Sequence, residues 1–268
     1  MTTNPALATY IITLNPGGER AQKLLQSVQR QGINAAFFPA VDGRQGMPEL
    51  LEGESIEQQR SMNQRLTHLS GSEVGCYLSH LRAIRLAYES GFAHACILED
   101  DIDIEPAFGQ VLTLLLDQPE QREFIRLMGL KRQRRKILEK IGGEHTLTRP
   151  LKGVLGTQGY LINRAGMLKV LTCGSAIAKP IDKFYDHFWE SDLQAYCVEP
   201  HLIWEQPNTS SIAHTLNEKS PSLWQYLIYK GNKFWRSVRR RIYLRRHRQA
   251  FFPAEKSKQK MGKTLRKG

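Results

Sequence analysis

Glu99, Asp100, Asp101 and Asp103 place four carboxylates in five positions, directly after the apolar run Ala95-Cys96-Ile97-Leu98. Like charges this close repel, and the arrangement is costly unless a cation sits among them. Glu99 and Asp101 are two apart, so on extended backbone they point the same way and Asp100 points the other. Together they can hold Mg²⁺ or Mn²⁺, which prefer oxygen ligands and complete their shells with substrate phosphates. Asp103 can add a third oxygen on the same side. The competing reading is an acidic solvated loop.

The elements that must position this cluster alternate between strand and helix. Thr9 to Leu14 is a short β-rich run, broken by Asn15-Pro16-Gly17-Gly18. Glu19 to Gln31 reads as a helix closed by Gly32, and Ala35 to Ala40 returns to strand before the turn Asp42-Gly43. The polar stretch Gln45 to Gln64 has no clear period. Ser70 and Glu73 stand in capping-box spacing, and Val74, Tyr77, Leu78, Leu81, Ile84 and Tyr88 form one apolar helical face ended by Gly91. The strand carrying the acids follows, then a helix over Ala107 to Leu116 and a strand over Phe124 to Met128. This order predicts an α/β sandwich with a mostly parallel central sheet. In such sheets ligands bind beyond the carboxyl ends of the strands, where the acidic cluster stands.

The 268 residues suffice for one large domain or two small ones, and charged residues at 24% exclude global disorder. No run approaches the roughly 18 apolar residues of a spanning helix, and Met1 to Tyr10 does not read as a secretory signal. Cys76, Cys96, Cys173 and Cys197 show neither C-x-x-C nor zinc spacing and read as reduced, mostly buried thiols in a cytoplasmic protein.

The net charge of +12 is uneven. Lys230 to Gly268 carries 15 Lys or Arg against one acid, Glu255, while the rest is near neutral. A body over 1–229 and a basic tail over 230–268 are therefore expected, with residues after Phe252 disordered. Phe234, Trp235, Val238 and Ile242 recur at helical spacing among Lys233, Arg236, Arg239, Arg240, Arg241, Arg245 and Arg246. Trp224, Tyr226, Tyr229 and Tyr243 add interfacial aromatics. Such an amphipathic helix suits an anionic lipid surface, which would make the protein peripheral on the inner membrane. The alternatives are a helix packed on the body or a nucleic-acid contact.

Gly75-Cys76-Tyr77-Leu78-Ser79-His80, followed by Ile97-Leu98-Glu99-Asp100-Asp101, resembles glycosyltransferase family 25. That family includes lipooligosaccharide galactosyltransferases of Gram-negative bacteria and is related to the collagen galactosyltransferases. Ile12-Thr13-Leu14 with Arg20, Ala40-Val41-Asp42-Gly43-Arg44, and Gly156-Thr157-Gln158-Gly159-Tyr160-Leu161-Ile162 resemble its further motifs in order, from about Thr9 to Cys197. The resemblance implies a GT-A-like fold and inverting transfer of a hexose, usually galactose from UDP-galactose, to a lipid-linked oligosaccharide of the lipooligosaccharide or lipopolysaccharide core. It implies that Glu99-Asp100-Asp101 is the acid-x-acid metal element.

Within that expectation the metal set is Glu99, Asp101 and Asp103. A metal bridging the diphosphate stabilises the leaving group, and inversion needs a separate base for the acceptor hydroxyl. Asp182 sits where the family has a proline-x-aspartate pattern; Asp186 and Glu190 are the alternatives, and Asp182 can instead cap the following helix. Thr13, Asn15, Arg20, Asp42, Arg44, Asp100, Gly156, Thr157 and Gly159 are donor-binding candidates: planar cations for phosphate, polar groups for ribose or sugar, glycines for close backbone approach. His80 joins them, though a lone His on a helix flank is more often structural. The run Lys131 to Lys136 can meet acceptor phosphates or be a solvated loop. Two other classes compete. A nucleic-acid-binding protein explains the tail but not the acids, so no nucleic acid is expected. A metal-dependent nucleotidyl or phosphoryl transferase explains the acids, but neither G-x-x-x-x-G-K-[ST] nor G-x-G-x-x-G occurs.

Overall fold

Buried on both faces, the run Leu7–Thr13 forms the first strand, β1, of a computed structural model in which residues 6–206 and 221–257 are described. The other elements follow in chain order: α1 (Glu19–Arg30), β2 (Ala36–Pro39), β3 (Ser55–Ile56), α2 (Gln58–Arg65), α3 (Gly71–Glu89), β4 (His94–Glu99), β5 (Ile102–Ile104), α4 (Phe108–Leu116), β6 (Phe124–Arg126), β7 (Arg134–Gly142) and β8 (His145–Pro150). Next come β9 (Gly159–Asn163), α5 (Arg164–Gly174), β10 (Ala176–Ile177), α6 (Ile181–Asp186), α7 (Phe188–Ser191), β11 (Ala195–Glu199), β12 (Ile203–Glu205), α8 (Leu223–Arg246), α9 (Arg248–Phe251) and β13 (Glu255–Lys256).

Among the described residues the main sheet runs β13-β7-β8-β11-β6-β9-β4-β1-β2. It is mixed, not mostly parallel. The pairs β2-β1, β1-β4 and β6-β11 are parallel, while β9 lies antiparallel between β4 and β6, and β11-β8, β8-β7 and β7-β13 are antiparallel. The alternating pattern did not anticipate the β7–β8 hairpin, whose first residues fall in the Lys131 to Lys136 run that can read as a solvated loop.

Side chains of β4 alternate between two cores. Ala95 and Ile97 pack with α3, α5, α6 and α7; Cys96 and Leu98 pack with α1 and α4. The α3 face holds as expected: Val74, Tyr77, Leu78, Leu81 and Ile84 are buried. Its capping box is formed, Ser70 Oγ accepting from Glu73 N at 3.2 Å and Glu73 Oε2 from Ser70 N at 3.0 Å. A Cβ on Gly43 would stand 1.8 Å from Gly71 O, so the Val41–Arg44 loop can lie against the start of α3 only because both positions are glycine. Val41 N donating to Ser79 Oγ at 2.8 Å fixes that loop beside the carboxyl end of β1.

The C-terminal segment is integrated with the body. Helix α8 begins at Leu223, seven residues before the expected boundary, capped by Ser222 and Gln225. It packs on α2, with Asn232 Nδ2 donating to Asn63 O at 3.0 Å. The chain then turns back, and Phe251 is fully buried and stacked on Phe188 at 5.9 Å. Glu255 and Lys256, expected to be disordered, pair with β7. Residues 258–268 of the expected disordered end lie outside the described residues. No helix among the described residues is long and apolar enough to cross a membrane.

Candidate active site

At the carboxyl ends of β1 and β4 the sheet opens into a cleft of about 1240 Å³. Its walls are the Val41–Arg44 loop, the first turns of α3, the Gly153–Gln158 loop, the start of α6 and one face of α8. Glu99, Asp100 and Asp101 all line it. The alternation expected for these three does not hold, because β4 ends at Glu99 and residues 100–101 turn. Asp100 therefore points into the cleft, where Thr13 Oγ1 donates to Oδ2 at 2.5 Å and Arg20 Nη2 to Oδ1 at 2.6 Å. It ties the end of β1 and the start of α1 to the acidic turn.

Glu99 closes a hydrogen-bond chain that runs into the core. Tyr185 and Tyr160 hydroxyls lie 3.0 Å apart, Tyr160 is 3.1 Å from His80 Nδ1, and His80 Nε2 is 3.2 Å from Glu99 Oε1. Thr157 Oγ1 donates to the same oxygen at 2.5 Å. Burial raises the Glu99 pKa, but the His80 and Thr157 bonds outweigh it and hold the carboxyl below its ordinary range. Asp101 goes the other way: burial first, then the Glu99 and Glu205 charges, push it up to about 7. His80 thus orients the Glu99 carboxylate.

The donor set fits a hard divalent cation in part. Glu99 and Asp101 supply oxygen ligands in a pocket negative enough to raise a neighbour's pKa. Asp103 does not join them: it lies on β5 outside the cleft, accepting from Gln206 Nε2 at 2.9 Å. Among the described residues the tightest ligand-type trio is Cys76, His80 and Glu99, within 4.8 Å of one another. Burial and the Glu99 charge raise the Cys76 thiol well above its ordinary range, so this trio offers no thiolate and is the poorer match.

Other predicted residues divide clearly. Thr13, Arg20, Asp42, Arg44, His80, Gly156 and Thr157 line the cleft. Asn15 does not, and Gly159 is sealed within β9, where a Cβ would meet Ile203 at 2.4 Å. Arg44 forks onto Asp42 at 2.6 to 3.1 Å, and its hydrogen bonds hold the Asp42 carboxyl at about 2. Of the candidate bases, Asp186 is committed: Arg126 Nη2 lies 3.0 Å from Oδ1 and Leu155 N donates at 3.1 Å, while burial pushes its pKa up. Glu190 accepts from Lys179 Nζ at 2.5 Å and lies outside the cleft lining. Asp182 lines the cleft, and among the described residues its one ion-pair partner is Lys183 Nζ at 3.6 Å. It does not cap α6, whose N-cap is Pro180.

Residue type alone did not reveal Arg126, which reads as an ordinary strand residue. It is buried beside Asp186 and donates to Gly156 O at 2.9 Å, holding the Gly153–Gln158 loop against α6. Arg126→Met is expected to destabilise the chain by about 3–5 kcal/mol, the usual cost of stranding one partner of a buried pair. Urea denaturation measures it. The double change Arg126→Met with Asp186→Leu should recover part of the loss, and a single-variant cost under about 1 kcal/mol would show that the pair does not hold this loop.

The profile of "Glycosyltransferase family 25 (LPS biosynthesis protein)" matches residues 6–185, which includes β1, the acidic turn, the Gly156–Thr157 loop and Asp182. The chain belongs to glycosyltransferase family 25. It is 30% identical over 229 residues to a glycosyltransferase 25 family member of Drosophila melanogaster, covering 83% of this chain and 36% of that protein. It is 25% identical over 235 residues to procollagen galactosyltransferase 2 of Homo sapiens, covering 80% and 37% respectively. A probable inactive family member 3 of Rattus norvegicus is 27% identical over 211 residues, covering 72% and 37%. The chain thus spans little more than a third of the length of these family 25 relatives.

Proposed function

We propose that this family 25 chain is an inverting transferase with a GT-A-like catalytic body that moves a hexose, galactose, from a UDP-sugar to a lipid-linked oligosaccharide of the lipopolysaccharide or lipooligosaccharide core. The observation that carries the reading is the Glu99-Asp100-Asp101 turn at the carboxyl end of β4, facing a cleft large enough for a nucleotide sugar. Galactose is favoured because relatives of this chain are named galactosyltransferases.

Glu99 and Asp101 would hold Mn²⁺ or Mg²⁺. That ion supplies charge stabilisation to the diphosphate as it leaves. His80 and Thr157 fix the Glu99 carboxylate, so it need not reorganise when the donor enters. Thr13, Arg20 and Asp100 brace the strand ends beside the nucleotide. Asp182 is the proposed base. Its carboxylate reaches the cleft without a close ion-pair partner, whereas Asp186 and Glu190 are held by Arg126 and Lys179. It would take the acceptor hydroxyl's proton as that oxygen attacks the sugar carbon from the face opposite the diphosphate.

UDP-galactose turnover with and without Mn²⁺ tests the reading, with UDP-glucose as the epimer control. Metal-dependent release of UDP from galactose donor alone supports it; no release from either donor, with or without an acceptor glycan, rejects it.

The exposed face of α8 supports a peripheral position on the cytoplasmic side of the inner membrane. Trp224, Leu227, Phe234, Trp235 and Ile242 lie along one exposed side, rimmed by Lys230, Arg239, Arg241 and Arg246. Deleting the chain from Lys230 would be a poor test, since it also removes the buried Phe251. Phe234→Ser with Trp235→Ser is expected to abolish flotation with anionic liposomes while leaving turnover on a soluble acceptor unchanged. Undiminished flotation would remove α8 as the anchor.

A further inference from the structure

Not all the tail's cations face outward. Lys233, Arg236 and Arg240 recur at three- and four-residue spacing on the side of α8 opposite its apolar stripe, and they line the cleft together with Lys179. Negative charge on this wall is scarce. Glu190 is engaged by Lys179 at 2.5 Å and lies 3.8 Å from Arg236. Among the described residues no carboxylate stands within ion-pair distance of Lys233 or Arg240. The Arg240 guanidinium lies 5.7 Å over the Trp189 ring, half-buried, and its Nε is shut off from solvent without a hydrogen-bond acceptor. Burial lowers its pKa.

His187, which lines the cleft beside Lys179 at 3.3 Å, registers the resulting field. Burial first, then Lys179, Arg236, Lys183 and Arg240, push its pKa down to about 2. Gathering these four cations along one wall of the cleft, with Glu190 the acid paired to Lys179 and Arg236, is unfavourable in the free protein, and an oxyanion ligand relieves it. Two guanidinium forks suit phosphate or carboxylate oxygens. The acidic turn stands at the end of β4, whereas these cations stand on α8 and just before α6.

We propose that Lys179, Lys233, Arg236 and Arg240 form an oxyanion subsite for the acceptor, so that the glycan receiving the sugar carries a phosphate ester or carboxylate that docks here. The inference rests on the glycosyltransferase reading above and specifies its acceptor.

The test is calorimetry on the full chain saturated with UDP and Mn²⁺, titrated with glucose 6-phosphate, glucuronic acid and uncharged glucose. Binding of at least one charged sugar, none of glucose, and weakening with added salt are expected. The phosphate and carboxylate arms identify which oxyanion the wall prefers. Arg236→Gln with Arg240→Gln should weaken the charged probe by about tenfold or more, while UDP affinity stays within about twofold. Arg236→Lys with Arg240→Lys should retain most of the binding. If the paired Gln variant unfolds, as thermal melting would reveal, Arg240→Gln alone serves. The proposal is overturned if neither charged sugar binds the UDP complex, if the Gln variants bind it as wild type does, or if they weaken UDP instead, which would give the wall to the donor diphosphate. Should UDP itself not bind wild type, the transferase reading fails, and titration of the charged sugars without UDP still tests the wall.

Discussion

Replacing Asp101 by Asn is expected to lower sugar transfer by about 10³-fold while leaving the metal-free fold at least as stable as wild type at pH 8. Both halves follow from where the carboxylate sits. It lines the cleft beside Glu99, where a diphosphate-bound cation would need it. Burial and the neighbouring Glu99 and Glu205 charges raise its pKa from 3.8 to about 7. Between those values the folded chain binds more protons at this site than the unfolded chain, so metal-free stability falls as pH rises from about 4 through 7. Asn removes that penalty. Thermal melting across pH without metal, and turnover at saturating Mn²⁺, read the two effects separately. Wild-type turnover in Asp101→Asn would end the metal assignment. Asp100→Asn should show the reverse balance, a smaller catalytic loss and a lower melting temperature, because it releases Thr13 and Arg20.

Asp182→Asn is expected to reduce kcat by about 10²-fold or more with UDP affinity unchanged. A base acts in the transition state and contributes little to donor binding, so the loss belongs in turnover and not in the donor's Kd. The side chain is partly exposed at the start of α6, so the amide fits without repacking. Single-turnover kinetics beside UDP calorimetry separate the two quantities. Near-normal turnover here, with a large loss in a Glu190 variant, would move the base to Glu190 despite its ion pair with Lys179.

The parts legible in the sequence are those governed by local rules. The α3 capping box, the Gly32 and Gly91 stops with φ of +77° and +82°, and the β4 strand leading into the acids all follow from neighbours in the chain. Long-range pairing was not legible. The antiparallel placement of β9 between β4 and β6 has no local mark, which is why a parallel sheet was expected. Asp186 and Asp182 look equivalent as letters, and both line the cleft; only the fold brings Arg126 from β6 to Asp186 and leaves Asp182 without a close ion-pair partner. The tail was misjudged for a related reason. Composition averages all sides of a helix, whereas packing on α2 divides α8 into a cleft side and an outer side.

That division gives α8 the geometry of a spacer. An α-helix with its side chains is about 10–12 Å thick. Were the outer stripe to rest on a bilayer, as proposed, the cation-lined wall of the cleft would stand about one helix diameter above the headgroups. A sugar attached close to the lipid would reach that height, while the tip of a long extended glycan would be carried past it. The helix would then select acceptors by distance from the membrane as well as by charge, and chain growth would stop once the receiving residue had been lifted out of range.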